Sequence, residues 1–470
     1  MVEEVAQQPS RNHAVLCVDF GSTFTKAALV DAGSGTLLGT ASHRTTIDTD
    51  VLDGYEACLR ALQSDHPEAD GADVLACSSA GGGLRVAVVG NEELVTAEAG
   101  RRVALSSGGK VVHVVALSAD ADPLPGLLAS EPDVVLLVGG TDGGNTEALL
   151  AGARMLAGAR WATPVVVAGN VDAREDVAEL LAASATPYVL ADNVVPRIGV
   201  LAPGSARAAI REMFLAHVIG GKHLSARTDF AAMVRGPTPD LVLTGVEVLA
   251  ATLACDVVVV DVGGATTDVH SVVDLDPEDA TLGREVVATT PVTRTVEGDL
   301  GMRWSAVSTV ESGVAAGVLE TDPALDRAAR LRHDDPAHLP VNPVDASYDM
   351  RIATAATVLA VRRHAGRSRV VLSDTGRVIE RSGKDLREVD LLVGSGGVLR
   401  NAAPEVAERI LRSVVGTDPE GWQLPERPAL VVDRDYVLAA VGLLAGQHPE
   451  AARTLARRHF HPDGREASGA

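Results

Sequence analysis

Asp261 follows a run of four valines, Val257 to Val260, and precedes Gly263, Gly264, Thr266, Thr267 and Asp268. The valine run predicts a buried strand, because β-branched side chains suit a pleated surface covered on both faces. The glycine pair leaves backbone N–H groups open to a ligand, since no Cβ stands in the way. Bare amides and hydroxyls bind phosphate, and carboxylates orient the waters of the Mg2+ that accompanies it. A carboxylate on each side of a glycine turn therefore predicts a phosphate and magnesium site, beyond the needs of a plain hairpin.

The arrangement occurs twice. Asp19, Gly21, Ser22, Thr23 and Lys26 lie in DFGSTFTKAALVD at 19–31, which echoes DVGGATTDVHSVVD at 261–274. A further pair, DVVLLVGGTDGGN at 133–145 and DLLVGSGGVLRN at 390–401, repeats Asp, an apolar strand, a glycine-rich turn and Asn. Two echoes in the same order and at similar spacing predict two related α/β domains facing a shared cleft. In that cleft the two Asp-x-Gly turns clamp phosphates from opposite sides. Gly394, Gly396 and Gly397 let a flat adenosine lie against backbone. Asp19, Asp261 and Asp268 act through Mg2+-bound water or by orienting the attacking water, with Asp19 and Asp261 beside the metal. Lys26 is the lysine placed to reach phosphate, although its hairpin strand equally allows it to face solvent. Gly139 to Asn145 is either a ligand turn or a remnant of duplication.

The elements that must position these residues follow from hydrophobic periodicity. Strands are expected at 14–20, 24–31 and 74–79, the last running into Ala80–Gly83. From 111 to 200 strands alternate with helical stretches, the pattern of βαβ units in a parallel sheet. Helices are expected at 49–63, 204–219, 237–254, 351–364, 404–413 and 436–444. Strands are expected within 285–296, 390–393 and 430–433. The resulting division is a loose tail at 1–12, a first domain at 13–254, a second at 255–446 with its closing helix, and a polar, arginine-rich tail at 447–470 that is partly helical and then frayed.

Bulk properties narrow the partners. A chain of 470 residues exceeds one ordinary core. Its formal charge of −22 repels nucleic acid and anionic membrane surfaces. The four cysteines form no CxxC pair, which fits buried small side chains in a reducing compartment. The acidic, polar N-terminal stretch has no signal-peptide pattern, and Glu247 and Asp256 interrupt the longest apolar reach. No membrane span and a cytoplasmic location are expected. Neither GxxxxGK[ST] nor a GxGxxG after a strand occurs.

DFGSTFTK, DVGGATTD and GSGGVLRN resemble the two phosphate loops and the adenosine loop of the actin-like ATPases. Segments 237–254 and 433–444 resemble their two connecting helices. That resemblance implies duplicated actin-like (ribonuclease H-like) ATPase domains facing a nucleotide cleft, with ATP and Mg2+ as cofactors. A narrower resemblance spans nearly the whole chain. CSSAGGGLRVAVVG (77–90), PDVVLLVGGTDGGN (132–145), VVVAGNVDAR (165–174), VVDVGGATTDVHS (259–271) and RTVEGDLGMR (294–303) are similar to the glutamate mutase accessory proteins, the MutL/GlmL family. It implies a chaperone-like ATPase that reactivates an adenosylcobalamin-dependent mutase by releasing damaged cobalamin, with the mutase subunits as partners.

His270 does not extend this to a cobalamin ligand, since D-x-H-x-x-G requires glycine where Val273 stands. Glu297 and Asp299 are either site carboxylates or caps of the next helix. Asp433-Arg-Asp-Tyr436 departs from the pattern of the second connecting segment and receives no catalytic role. The alternatives are a metabolic kinase of the actin-like superfamily, acting on a small hydroxyl or carboxylate substrate, and an assembly protein that binds nucleotide to polymerise.

Overall fold

A computed structural model describes residues 13–118, 122–221, 224–225, 227, 229–274, 290–373 and 376–462. The tail expected at 1–12, the end of that at 447–470 and the first part of the strand region at 285–296 lie outside them.

Apolar residues on both sides of a strand need cover on both sides, and β1 (Ala14–Phe20) is buried along its whole length. It forms a hairpin with β2 (Phe24–Asp31), which pairs with β3 (Thr36–Arg44). On its other side β1 pairs in parallel with β4 (Asp73–Ser78). The chain then builds a second sheet, all parallel, from β5 (Leu84–Gly90), β6 (Gly109–Ala116), β7 (Val134–Leu137), β8 (Val165–Val167) and β9 (Tyr188–Leu190). The crossover between β5 and β6 is α1 (Glu98–Ser106). After this insertion β10 (Val234–Pro237) returns to pair with β4, and α2 (Thr238–Leu253) follows it.

The second half repeats the first sheet. The hairpin β11 (Val257–Val262) and β12 (Thr267–Val272) extends to β13 (Val292–Glu297). A 22-residue helix, α3 (Pro343–His364), and a small hairpin of β14 (Arg367–Ser373) and β15 (Gly376–Ser382) precede β16 (Leu391–Ser395) and β17 (Ala429–Val432). The chain closes with α4 (Val437–Leu444) and α5 (Pro449–Phe460). The two sheets have the orders β3-β2-β1-β4-β10 and β13-β12-β11-β16-β17. They match strand for strand, as the first echo predicts.

The second echo does not hold. The strand equivalent to β16 is β4, so the counterpart of Gly394–Gly397 is Ala80–Gly83. Segment 133–145 carries β7, which belongs to the inserted parallel sheet in the order β6-β5-β7-β8-β9. An Asp, a short apolar strand and a glycine turn describe any βα corner of a parallel sheet, and this one matched by that general geometry. The expected helix at 351–364 begins at Pro343, capped by the Asn342 side chain. The helical part expected in the C-terminal tail is α5, and it is packed rather than loose. Ala452, Leu455, Ala456 and Phe460 of α5 are buried in the apolar cluster between the two halves.

That cluster follows from strand alternation. Val15 and Cys17 of β1, and Val257 and Val259 of β11, face inward onto α2, α4 and α5. Leu16, Val18 and Phe20, and Val258, Val260 and Val262, face the outer cores. Helices α2 and α4 cross where each carries a glycine. A Cβ on Gly245 would lie 2.3 Å from the Leu438 carbonyl oxygen, and one on Gly442 would lie 1.8 Å from that of Leu241. The two backbones therefore touch.

Replacing Gly442 by alanine tests this contact. Helix propensity alone favours alanine by about 1 kcal/mol, but a methyl group here must push two backbones apart. A net loss of roughly 2 kcal/mol is expected from such overpacking, seen as a lower urea midpoint. An unchanged or higher midpoint would mean the helices do not touch.

Candidate nucleotide site

The two Asp-x-Gly turns are built alike. The Gly21 N–H donates to the Phe24 carbonyl at 3.2 Å, and the Gly263 N–H to that of Thr266 at 2.9 Å. A Cβ at either glycine would stand 2.7 or 2.8 Å from the accepting oxygen, so only glycine closes either turn. The turn carbonyls are held from behind. Thr45 donates its N–H to Thr23 O at 2.9 Å and its hydroxyl to Gly21 O at 2.7 Å. Met302 and Arg303 donate N–H groups to Gly263 O and Gly264 O at 2.9 and 2.7 Å, and Ser305 Oγ donates to Ala265 O at 2.6 Å. Occupied carbonyls leave each turn to present N–H groups, joined on the first turn by the hydroxyls of Ser22 and Thr23, a surface suited to an anion.

Equivalent register positions carry opposite charges. Asp19 lies opposite Lys26 across β1–β2, and Asp261 lies opposite Asp268 across β11–β12. Lys26 is largely covered and does not face solvent. Its Nζ is 3.7 Å from Asp19 Oδ2 and 3.4 Å from the centre of the Tyr436 ring, a cation–π contact. Burial works against its charge, but Tyr436 and Asp19 outweigh it and hold Lys26 above the usual lysine range. Asp19 Oδ1 accepts the Thr238 hydroxyl at 2.6 Å and the Cys77 thiol at 3.7 Å, which fixes it to the start of α2. Asp268 Oδ2 accepts the Thr266 hydroxyl at 3.1 Å, and its Oδ1 pairs with Arg294. Thr267 donates its hydroxyl to Leu300 O at 3.1 Å and is fully buried, so it braces the turn from inside.

The nucleoside-end loop meets this site at Gly396. Its φ is +98°, and a Cβ there would lie 2.2 Å from Val262 O and 2.9 Å from Asp261 Oδ1. Gly397 has open space where its Cβ would be, whereas Gly394 backs onto Leu399 and Leu411. Gly397 thus offers bare backbone to a flat group, and Gly394 serves packing. Burial pushes the Asp261 carboxyl up to about 7; Lys26 opposes that rise, and the charges of Asp268, Asp19 and Asp433 add to it. Burial likewise pushes Asp433 up to about 6, although its oxygens accept the N–H groups of Val437 and Leu438 at 2.9 and 3.1 Å.

Among the described residues no three metal-ligating side chains gather closely enough to hold a metal by themselves. The donor set still suits Mg2+. That ion keeps several waters and takes its remaining ligands from one or two carboxylates and the phosphates themselves. Asp19 and Asp261 are the carboxylates beside the two turns that could supply such ligands.

Sequence reasoning missed Tyr436, Arg400, Thr238 and Arg294, whose approach to the site depends on the fold. Tyr436 carries a left-handed φ of +58°, and the Arg400 guanidinium lies 5.1 Å from its ring centre. The only sequence signal was the departure at 433–436. Glu297 and Asp299 cap no helix with their side chains; both pair with Arg363 of α3. His270 is buried, as expected of a core histidine. Gly139 to Asn145 lies at the end of β7 in the inserted sheet, outside the pair of turns.

The raised Asp261 carboxyl has a signed consequence. A native carboxyl above its unfolded value holds a proton that the unfolded chain has lost, so stability falls as pH rises from about 4 to about 7 and levels off above that. Asp261→Asn removes that loss. The variant should match the parent near pH 4 and exceed it at pH 8 by roughly 1 kcal/mol or more, read from urea midpoints. A gap that does not widen with pH would contradict the raised carboxyl.

Comparison with known proteins adds the lineage. The family described as MutL protein matches residues 15–460. Protein MutL of Clostridium tetanomorphum is 33% identical over 459 residues, covering 95% of this chain and 99% of that one. Among solved structures, nucleotide-free acetone carboxylase aligns with 92% of this chain and 70% of its own at 15% identity and a TM-score of 0.39. The activator of the 2-hydroxyisocaproyl-CoA dehydratase from Clostridium difficile, with bound ADPNP, aligns with 93% of this chain and 95% of its own at 10% identity and a TM-score of 0.33. With the family match running from β1 into α5, and the relative aligned almost end to end, the chain belongs to the MutL family.

Proposed function

We propose that the chain is a Mg2+-dependent ATPase whose domain motion serves a chaperone-like task. It restores an adenosylcobalamin-dependent mutase, glutamate mutase or a related aminomutase, by exchanging damaged cobalamin. The observation that carries the ATPase reading is the matched pair of turns, one per half, closed by the same N–H to carbonyl bond. The client rests on membership of the MutL family and on the resemblance to mutase accessory proteins. The site of action is the cytoplasm, in keeping with the free thiols of Cys17, Cys58, Cys77 and Cys255.

In this reading Gly21, Ser22 and Thr23 on one side, and Gly263, Gly264 and Thr266 on the other, hold the phosphates of ATP, while the buried Thr267 braces the second turn from beneath and makes no ligand contact. Lys26 adds charge at the phosphates. Gly396 and Gly397 form the nucleoside end, with Gly394 packed behind them on Leu399 and Leu411. Asp19 and Asp261 hold the hydrated metal, and Asp261 and Asp268 orient the attacking water. Positioning and charge supply most of the catalysis of phosphoryl transfer. Opening and closing of the halves about the α2–α4 crossing is the motion passed to the client.

Asp261→Ala should lower ATP turnover at least about 100-fold, the scale of losing a positioned acid–base or metal contact, and should fail to restore inactivated mutase. Full turnover and full rescue by that variant would overturn the site. Tyr436→Leu removes the ring under Lys26 and should weaken MgATP binding roughly 3- to 30-fold, the range of a desolvated cation–π contact, while Tyr436→Phe retains most of the affinity. Phosphorylation of a small metabolite by the chain alone would favour a kinase instead.

A further inference from the structure

Arg294 lies on β13 and is only 4% exposed. Its Nε and Nη2 donate to Asp268 Oδ1 at 3.0 and 2.5 Å. Its Nη1 points the other way and donates to the carbonyls of Leu105 and Gly109 at 2.9 and 3.3 Å. Those carbonyls belong to the last turn of α1 and the first residue of β6, both in the inserted sheet. One guanidinium thus joins Asp268, which holds the Thr266 hydroxyl of the second phosphate turn, to the inserted sheet, alongside the packing of α1 against β13. The helix end suits it, because the C-terminal end of a helix favours a cation; Leu105 O accepts the Gly108 N–H at 3.1 Å as well as the guanidinium.

The seat of that junction is tight. Gly108 has a φ of +79°, and a Cβ there would meet Asp240 N at 2.8 Å and Pro237 Cβ at 3.2 Å. The α1–β6 turn therefore rests on the start of α2, one of the two crossing helices. If the inserted sheet shifts, the carbonyls leave Nη1. A buried guanidinium with unpaired N–H groups is costly, so Arg294 must follow them or reorient, and Asp268 loses its fixed partner. Lysine cannot replace the fork, since a point charge cannot serve both sides at once.

We infer that Arg294 is a positioning residue that fixes Asp268 at the second phosphate turn while the inserted parallel sheet is seated. The inserted sheet is then the arm through which an event outside the cleft alters turnover. The turnover half of this inference rests on the ATPase reading above; the mechanical link does not.

The link is tested first without nucleotide. Asp268→Asn should raise hydrogen exchange at the amides of residues 106–112, across the guanidinium, and leave those of β16 unchanged. Unchanged exchange at 106–112 would overturn the link. Turnover then tests the positioning role. Arg294→Lys should lower kcat about tenfold with KM within twofold, and the double variant Asp268→Asn/Arg294→Lys should be no slower than Asp268→Asn alone. Gly108→Ala, which leaves both charged partners in place, should show the same kcat loss and stands in if Arg294→Lys fails to fold. Independent, multiplicative losses or an effect on KM alone would overturn it. If the unaltered chain hydrolysed no ATP, the proposed ATPase would fall, and the exchange measurement would still decide the link.

Discussion

The contact on which the structure depends is the crossing of α2 and α4, where backbone meets backbone at Gly245 and Gly442. Each half contributes one Asp-x-Gly turn, and in the proposed function the two must close on one nucleotide together. Side chains at the crossing would hold the halves further apart. With glycine there, Thr238 at the start of α2 reaches Asp19, and Asp433 and Tyr436 at the start of α4 reach the same cleft. The crossing is at once the joint between the halves and the platform for the site.

Electrostatics accounts for what the cleft must receive. Asp19, Asp261, Asp268 and Asp433 converge, while Lys26 and Arg294 each answer part of that charge. The repeat places Lys26 and Asp268 at equivalent register positions, so duplication of the backbone was followed by divergence in charge. One turn keeps a cation beside its carboxylate, and the other keeps a carboxylate whose arginine partner, on the neighbouring strand β13, also reaches the inserted sheet. Carboxylates beside an anion site make sense with a hydrated divalent cation between them.

Much of this was legible in the sequence where local geometry dictates residue type. The turn glycines are forced by a carbonyl 2.7 or 2.8 Å from any Cβ, and the valine strands by burial on two faces. The second echo misled because a βα corner has the same residue pattern in either kind of sheet. Tyr436, Arg294 and Thr238 were illegible because their partners lie 410, 26 and 219 residues away or in another sheet. The helical character of α5 was legible, but its arginines disguised its burial, which Ala452, Leu455, Ala456 and Phe460 carry as a stripe at helical spacing.

The central claim is that both glycine turns grip one nucleotide. A crystal structure of the full chain with ADP and Mg2+ tests it most directly. The account predicts the diphosphate between Gly21–Thr23 and Gly263–Thr266, the metal beside Asp19 and Asp261, and the nucleoside against Gly396–Gly397. Nucleotide seated instead at Gly139–Asn145 of the inserted sheet, or gripped by one turn with the other left unused, would contradict it.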